Sequence, residues 1–385
     1  MKLGKLCILF TDGDWIESKD QSDSGIRLIQ TGNIGNGEFL YKNDKAKYIS
    51  VDTFKRLNCK EVFPNDILVS RLPEPVGRGC IIPDIGEKMI TAVDCTICRI
   101  NENLVDRKYF CYFLESNAYK TQLEQHVTGT TRKRISRKNL SSVEIDIPEQ
   151  AKQKEVVYKL DRLKKIIQNY NRELDLLDEL VRARFVEMFG DVQDAKKHRS
   201  IQLKDICNTV TGGTPSTKHV EYYNGTIPWI STVSLGPNYI DGTTAKAFIT
   251  QEAVDNSSTK IIPSGSILFG TRVGVGKSSI NQVERCTNQD IVAIIDLDES
   301  IYNKLYIKYV LDTYQSYFDS IKKGATILGI SSDDLKNIYV PDASLYEQDR
   351  FEKFVKQIDK SRSRIQKSLE ASQELFDSLM QEYFS

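Results

Sequence analysis

From Val156 onward the chain places apolar side chains at alternating steps of four and three: Val156, Leu160, Leu163, Ile167, Tyr170, Leu174, Leu177, Val181 and Met188, with Arg184 the single polar interruption. A repeat of 3.5 residues predicts a coiled-coil helix with one narrow apolar seam. A second stretch repeats the register 195 residues later: Phe351, Val355, Ile358, Arg362, Ile365, Leu369, Ser372, Phe376, Leu379 and Tyr383. Neither stripe is wide enough for a buried core helix, so each needs a matching stripe. A helix from about Lys152 to Phe189 would span roughly 55 to 60 Å at about 1.5 Å per residue, and the mate nearest to hand is the other helix, packed antiparallel.

Short β-like runs broken by Gly, Asn, Asp and Pro precede each helix. In the first half these are Ile26 to Gln30, Ile67 to Ser70, Cys80 to Ile82, Thr96 to Ile100 and Val143 to Ile147, with one helix around Arg107 to Gln125. The second half repeats the order as Ile227 to Ser231, Ser266 to Phe269, Ile291 to Ile295, a helix near Tyr302 to Lys322, and Ile338 to Val340. The copy extends to identities at the same offset: Gly129/Gly324, Ser136/Ser331, Gln153/Gln348, Glu179-Leu180/Glu374-Leu375 and Phe189/Phe384. A period this long is a duplicated domain plus helix. The expected fold is α+β: β-rich domains at 1–150 and 196–345, and an antiparallel two-helix coiled-coil spacer from 151–195 and 346–385, related by an internal pseudo-two-fold.

Composition narrows the class. With 385 residues, 40% hydrophobic and 28% charged, the chain reads as an ordinary globular protein with no apolar run long enough for a membrane span. A cytoplasmic location is the expectation, because the start of the chain has no signal-peptide layout and its eight cysteines are scattered. The formal net charge is zero, so any nucleic-acid contact must come from local patches.

Several apparent catalytic motifs fail on spacing. Gly270 to Ser278 looks like a phosphate loop, yet Thr271 stands where its first glycine is required, and a β-like run follows it in place of a helix. Cys95 and Cys98 have metal spacing but lie on a predicted strand without a second ligand pair. His126, His198 and His219 have no nucleophile pattern beside them. Methyltransferase loops are absent as well, so this chain is expected to be non-catalytic.

Polar, Gly-rich loops at matched places remain, and these suit the reading of DNA bases because short side chains let the backbone approach. In the first half the candidates are Thr31, Asn33, Arg71, Arg78 and the run Arg132-Lys133-Arg134. In the second they are Thr217, Lys218, Tyr222, Tyr223, Ser231, Thr232, Arg272, Lys277 and Lys322. The seam residues expected to join the helices are Leu160, Leu163, Ile167, Leu174 and Leu177 with Val355, Ile358, Ile365, Leu369 and Phe376.

Two variable β-rich domains each followed by a heptad helix, with Asp66-Ile67-Leu68-Val69-Ser70-Arg71 in the first and Glu347-Gln348 leading into the second helix, resemble the specificity subunit of type I restriction-modification enzymes. Where such families often show Pro-x-x-Glu-Gln before both helices, the first copy has Pro148 directly followed by Glu149-Gln150. The resemblance implies that each domain reads one half of a bipartite, asymmetric site on double-stranded DNA, and that the helices set the number of unread base pairs. It also implies two methyltransferase subunits that modify adenine with S-adenosylmethionine, and two restriction subunits that use ATP and Mg; no cofactor belongs to this chain. The competing expectation is a coiled-coil scaffold that binds protein without DNA sequence preference.

Overall fold

The computed structural model describes residues 1–129, 133–191, 200–324 and 326–385. The chain forms two units, Met1–Asn171 with Lys367–Ser385, and Arg172–Gln366.

In the first unit a four-stranded sheet runs in the order Cys7–Asp12, Cys95–Ile100, Ile67–Ser70, Gly79–Ile81, every neighbour antiparallel. Alternate side chains on a strand face opposite sides. Accordingly Ile67, Val69, Cys98 and Ile100 pack into a helical layer, while Leu68, Cys95 and Ile97 face a separate cluster. A second sheet places Ile26–Ile29 between Tyr48–Ile49, antiparallel to it, and Met89–Thr91, parallel to it.

The second unit repeats both sheets. Asn208–Thr211, Ile291–Ile295, Ile267–Gly270 and Ser278–Asn281 take the same order and directions, with Tyr239–Ile240 added in parallel at the edge. Ile227–Ile230 lies between antiparallel Ala247–Ile249 and parallel Cys286–Thr287. The face alternation recurs too: Ile267, Phe269, Val292 and Ile294 meet the helices, and Leu268, Ile291 and Ala293 turn away from them.

Several sequence expectations change in detail. The single helix expected over Arg107 to Gln125 is two, Arg107–Glu115 and Asn117–Glu124, because Ser116 adopts an extended backbone and its hydroxyl caps the second helix at the Tyr119 N–H. The counterpart near Tyr302 likewise divides into Lys304–Thr313 and Gln315–Ile321. Val143 to Ile147 is no strand; it keeps one antiparallel bridge, Lys2 with Glu144, where the second copy pairs Ser200–Gln202 with Tyr339–Pro341.

The long helices are Gln150–Phe189 and Leu345–Phe384. Within the first unit Val156 and Leu160 are buried with Phe376, Met380 and Phe384, and Leu163 and Ile167 are half-buried against the same cluster. Lys159 reaches the Tyr383 hydroxyl and Lys164 lies over the Phe376 ring, an antiparallel sequence of contacts. Within the second unit Val181 and Phe185 are buried with Phe351 and Val355, Ile358 packs alongside, and Arg362 pairs with Asp178, again antiparallel. Leu174, Leu177, Ile365 and Leu369 are half-buried. One seam position shifts: the heptad places Arg184 inward, whereas Phe185 is the fully buried residue. An α-helix of 3.6 residues per turn drifts against a 3.5 repeat, and the last turns of both helices move to steps of four, Val181-Phe185-Phe189 and Phe376-Met380-Phe384. Those ends pack aromatic rings onto equivalent tyrosines, Phe189 on Tyr306 at 4.7 Å and Phe384 on Tyr109 at 4.9 Å.

Candidate nucleic-acid interface

Each unit gathers three loops at one end of its four-stranded sheet and laces them with the same backbone bonds. In the first, the Ser70 N–H donates to the Arg78 carbonyl and the Gly77 N–H to the Ser70 carbonyl, closing the turn between two strands. The Arg71 N–H donates to Asp94, and the Ile135 N–H donates to Arg71, which ties in the third loop. The second unit makes these four bonds as Gly270 to Lys277, Gly276 to Gly270, Thr271 to Asp290 and Ile330 to Thr271. The third loop is closed in both by an antiparallel bridge, Thr128 with Arg134 and Lys323 with Gly329, at the 195-residue offset. Both turns need glycine. Gly77 and Gly276 have φ of +85° and +90°, and a Cβ there would come within 2.9 Å of the Tyr119 hydroxyl or 1.9 Å of Gln315 Oε1.

This lacing equates Arg71 with Thr271 and Arg78 with Lys277. Arg71 and Arg272 are therefore not counterparts; they stand one position apart in the shared frame. Their environments differ accordingly. Arg71 is 5% exposed, donates to the carbonyls of Val93 and Ile135, and lies 3.3 Å from Asp12; burial pulls its guanidinium down from its ordinary value. Arg78 spends its guanidinium on the carbonyls of Ile34, Leu72, Pro75 and Thr31. Both arginines give most of their donors to carbonyls of their own unit and so hold its loops together.

Other candidates are likewise buried or engaged within their own unit. Asn33 is buried, its amide oxygen accepting from the Gln30 N–H and its amide nitrogen donating to Leu40. Thr31 supplies one of the Arg78 acceptors. Tyr222 is buried against His219, and the Tyr223 hydroxyl donates to the Pro215 carbonyl. Ser231 and Thr232 are buried at the start of a short 3-10 turn. Lys322 is half-buried and paired with Asp319. Arg132 lies outside the described residues, as does His198.

Six candidates stay open to solvent: Lys133, Arg134, Thr217, Lys218, Arg272 and Lys277. Arg134 is 3.0 Å from Asp94 and Arg272 is 3.6 Å from Asp290, so equivalent aspartates orient a cation in each unit. Lys133, Lys218 and Lys277 have no ion-pair partner among the described residues. Arg137 and Lys138 extend the exposed cations of the first unit. Trp15, 69% exposed in a first-unit loop, was passed over by sequence reasoning; an aromatic residue within an Asp- and Gly-rich stretch was the available signal.

The apparent phosphate loop Gly270 to Ser278 is the turn of a hairpin between Ile267–Gly270 and Ser278–Asn281, without a helix N-terminus to hold phosphates. Cys95 and Cys98 point into different clusters, and burial pushes the Cys95 thiol up to about 12.

Fold and site together define a protein that presents one α+β loop platform twice, with its free cations on the loops. Residues 1–178 and 196–373 match the type I restriction modification DNA specificity domain, and the chain belongs to that family. It is 28% identical over 306 residues to the EcoR124I/EcoR124II specificity subunit of Escherichia coli, covering 75% of this chain and 70% of that one. To the MjaIX specificity subunit of Methanocaldococcus jannaschii it is 34% identical over 150 residues, 39% of this chain and 35% of that protein's length. Among solved structures, one described as the basis of complex assembly and conformational transition of the type I restriction-modification system aligns with a TM-score of 0.63 at 14% identity, covering 100% of this chain and 96% of that one. The S subunit from M. genitalium aligns with a TM-score of 0.53 at 15% identity, over 100% and 95%. At these identities the two structures speak for the fold. Among the described residues no helix is long and apolar enough to cross a membrane.

Proposed function

We propose that this chain is the DNA-reading subunit of a type I restriction-modification complex, itself non-catalytic, with each unit reading one half of a split, asymmetric site. The observation that carries the reading is the loop platform: the lacing bonds are the same in both units while the side chains presented on them differ. Two different half-sites demand that combination. The length of the long helices sets the number of unread base pairs. Two methyltransferase subunits bind the chain and methylate adenine with S-adenosylmethionine, and two restriction subunits bring ATP- and Mg-dependent cleavage, all in the cytoplasm. Exposed residues identical in both copies, Glu179-Leu180 with Glu374-Leu375 and Glu187 with Glu382, support docking of one kind of partner twice.

Co-expression with a cognate methyltransferase subunit followed by genome-wide methylation mapping tests the proposal. Adenine marks at one split motif are expected, and marks at no motif or at a continuous one refute it. A scaffold without DNA preference would leave methylation unchanged when the exposed loop cations are replaced, and no observation favours that reading.

A further inference from the structure

The bridged loop of each unit carries opposite chemistry. At the 195-residue offset, Arg132-Lys133-Arg134 of the first copy corresponds to Ile327-Leu328-Gly329 of the second. Where the first unit exposes Lys133 and Arg134, the second exposes Ile327 and Leu328, each 56% accessible. Gly329 lies against Thr271 and Arg272, where a Cβ would come within 2.7 Å of the Thr271 carbonyl. The loop therefore sits directly on the turn that carries Val273, itself 51% exposed, between Arg272 and Lys277. The second unit's platform thus ends in three exposed aliphatic side chains edged by Arg272, Lys277 and Lys323.

We propose that Ile327 and Leu328 form an apolar wedge that inserts at a base step of the half-site read by the second unit, while the equivalent loop of the first unit holds phosphates through Lys133 and Arg134. The inference rests on the DNA-reading function proposed above and specifies its mode of contact. Aliphatic side chains flanked by cations can part stacked bases while the cations hold the neighbouring phosphates. A protein occupant is disfavoured by the difference between the copies, since two identical subunits would meet like chemistry at equivalent positions. Half-sites that differ in sequence and deformability place no such demand on the two loops.

The test uses the full chain assembled with its methyltransferase subunits, on duplexes carrying the mapped site with 2-aminopurine placed in turn at each step. Wild type is expected to raise the fluorescence at one step of the second unit's half-site. Ile327→Ser with Leu328→Ser abolishes that rise and weakens binding about 10-fold, the scale of one lost base contact, with the salt dependence of binding unchanged. Leu328→Met keeps the rise. Lys133→Ala does the converse, lowering the salt slope by about 0.9 without altering fluorescence. Thermal unfolding of the serine variant should match wild type, because both side chains are exposed. Specific binding and methylation by wild type with no fluorescence rise at any step overturns the wedge and leaves the reading function standing. Loss of methyltransferase co-purification in the serine variant assigns the patch to protein docking and also overturns it. A wild-type complex that marks no split site refutes the reading function and the wedge with it.

Discussion

Replacing Gln348 by leucine removes a joint between the long helix Leu345–Phe384 and the segment that opens the helix Lys304–Thr313. Gln348 is fully buried; its Oε1 accepts from the Asn303 N–H at 2.8 Å, and its Nε2 donates to the carbonyls of Ile301 at 3.1 Å and Ala343 at 2.9 Å. Asn303 in turn caps the helix Lys304–Thr313 through its side chain. Leucine has nearly the same volume, so packing changes little while one N–H and two carbonyls lose their bonds inside the protein. At about 1 to 3 kcal/mol for each orphaned group, the loss is about 3 kcal/mol or more. For a unit of this size about 2 to 4 °C accompanies each kcal/mol, giving a melting shift of roughly 6 to 12 °C. A chain of two units need not unfold in one transition, so hydrogen exchange read by mass spectrometry is the suitable assay. Gln348→Leu should accelerate exchange in Lys304–Thr313 and leave Arg107–Glu115 at its wild-type rate. Gln153→Leu should do the reverse, since Gln153 accepts from the Asp106 N–H at 2.7 Å and donates to Pro148 at 2.8 Å. A shift below about 2 °C, or equal acceleration in both helices, would show that these glutamines do not join domain to helix.

Arg78→Lys should lower the melting temperature of the first unit, because one ammonium cannot reach the four carbonyls that Arg78 satisfies; unchanged stability would show that these bonds do not hold the loops together. Lys277→Ala should leave stability unaltered and weaken DNA binding by the assembled complex, lowering the salt slope by about 0.9, which a salt titration reads. Burial raises the Glu115 carboxyl above its ordinary 4.5 despite Lys164 at 2.8 Å. The folded state therefore holds this proton more tightly than the unfolded one, and its contribution is fully present below pH 4.5 and lost as pH rises through the elevated value. Glu115→Gln should consequently gain stability relative to wild type as pH rises from 4.5 to 7 in urea melts, and a relative loss over that range would reverse the sign. Inserting one heptad after Asn171 and another after Gln366 adds about 10.5 Å of helix, so the unread stretch of the DNA site should lengthen by about 3 base pairs at about 3.4 Å each, as methylation mapping would reveal.

The duplication was legible because the helical part and the structure beside it conserve offset as well as type. Gln153 with Gln348 and Ser136 with Ser331 occupy matching positions, and the structure gives each pair the same bonds. The first strands of the core sheets were not legible. Cys7–Asp12 and Asn208–Thr211 carry mixed polarity, because each lies at a sheet edge or near it and buries little. Arg71 and Arg272 stand on neighbouring positions of the shared frame, and the backbone bonds that equate Arg71 with Thr271 leave no mark in residue type. For the same reason the internal bonds of Arg71, Arg78 and Asn33 could not be read from sequence: a polar side chain in a Gly-rich loop has the same appearance there whether it meets a base or a carbonyl of its own chain. Ile327 and Leu328 had the opposite fate. Apolar residues are expected inward, yet both lie exposed in the loop bridged by Lys323 and Gly329.

Methylation mapping after exchange of one loop platform tests the central claim most directly. With the second unit's loops at 271–277 and 323–329 replaced by those of a relative of different specificity, the complex should mark a motif in which one half changes and the other half and the spacing stay as in wild type. A motif altered in both halves, or in neither, would contradict a chain in which each unit reads its own half of the site.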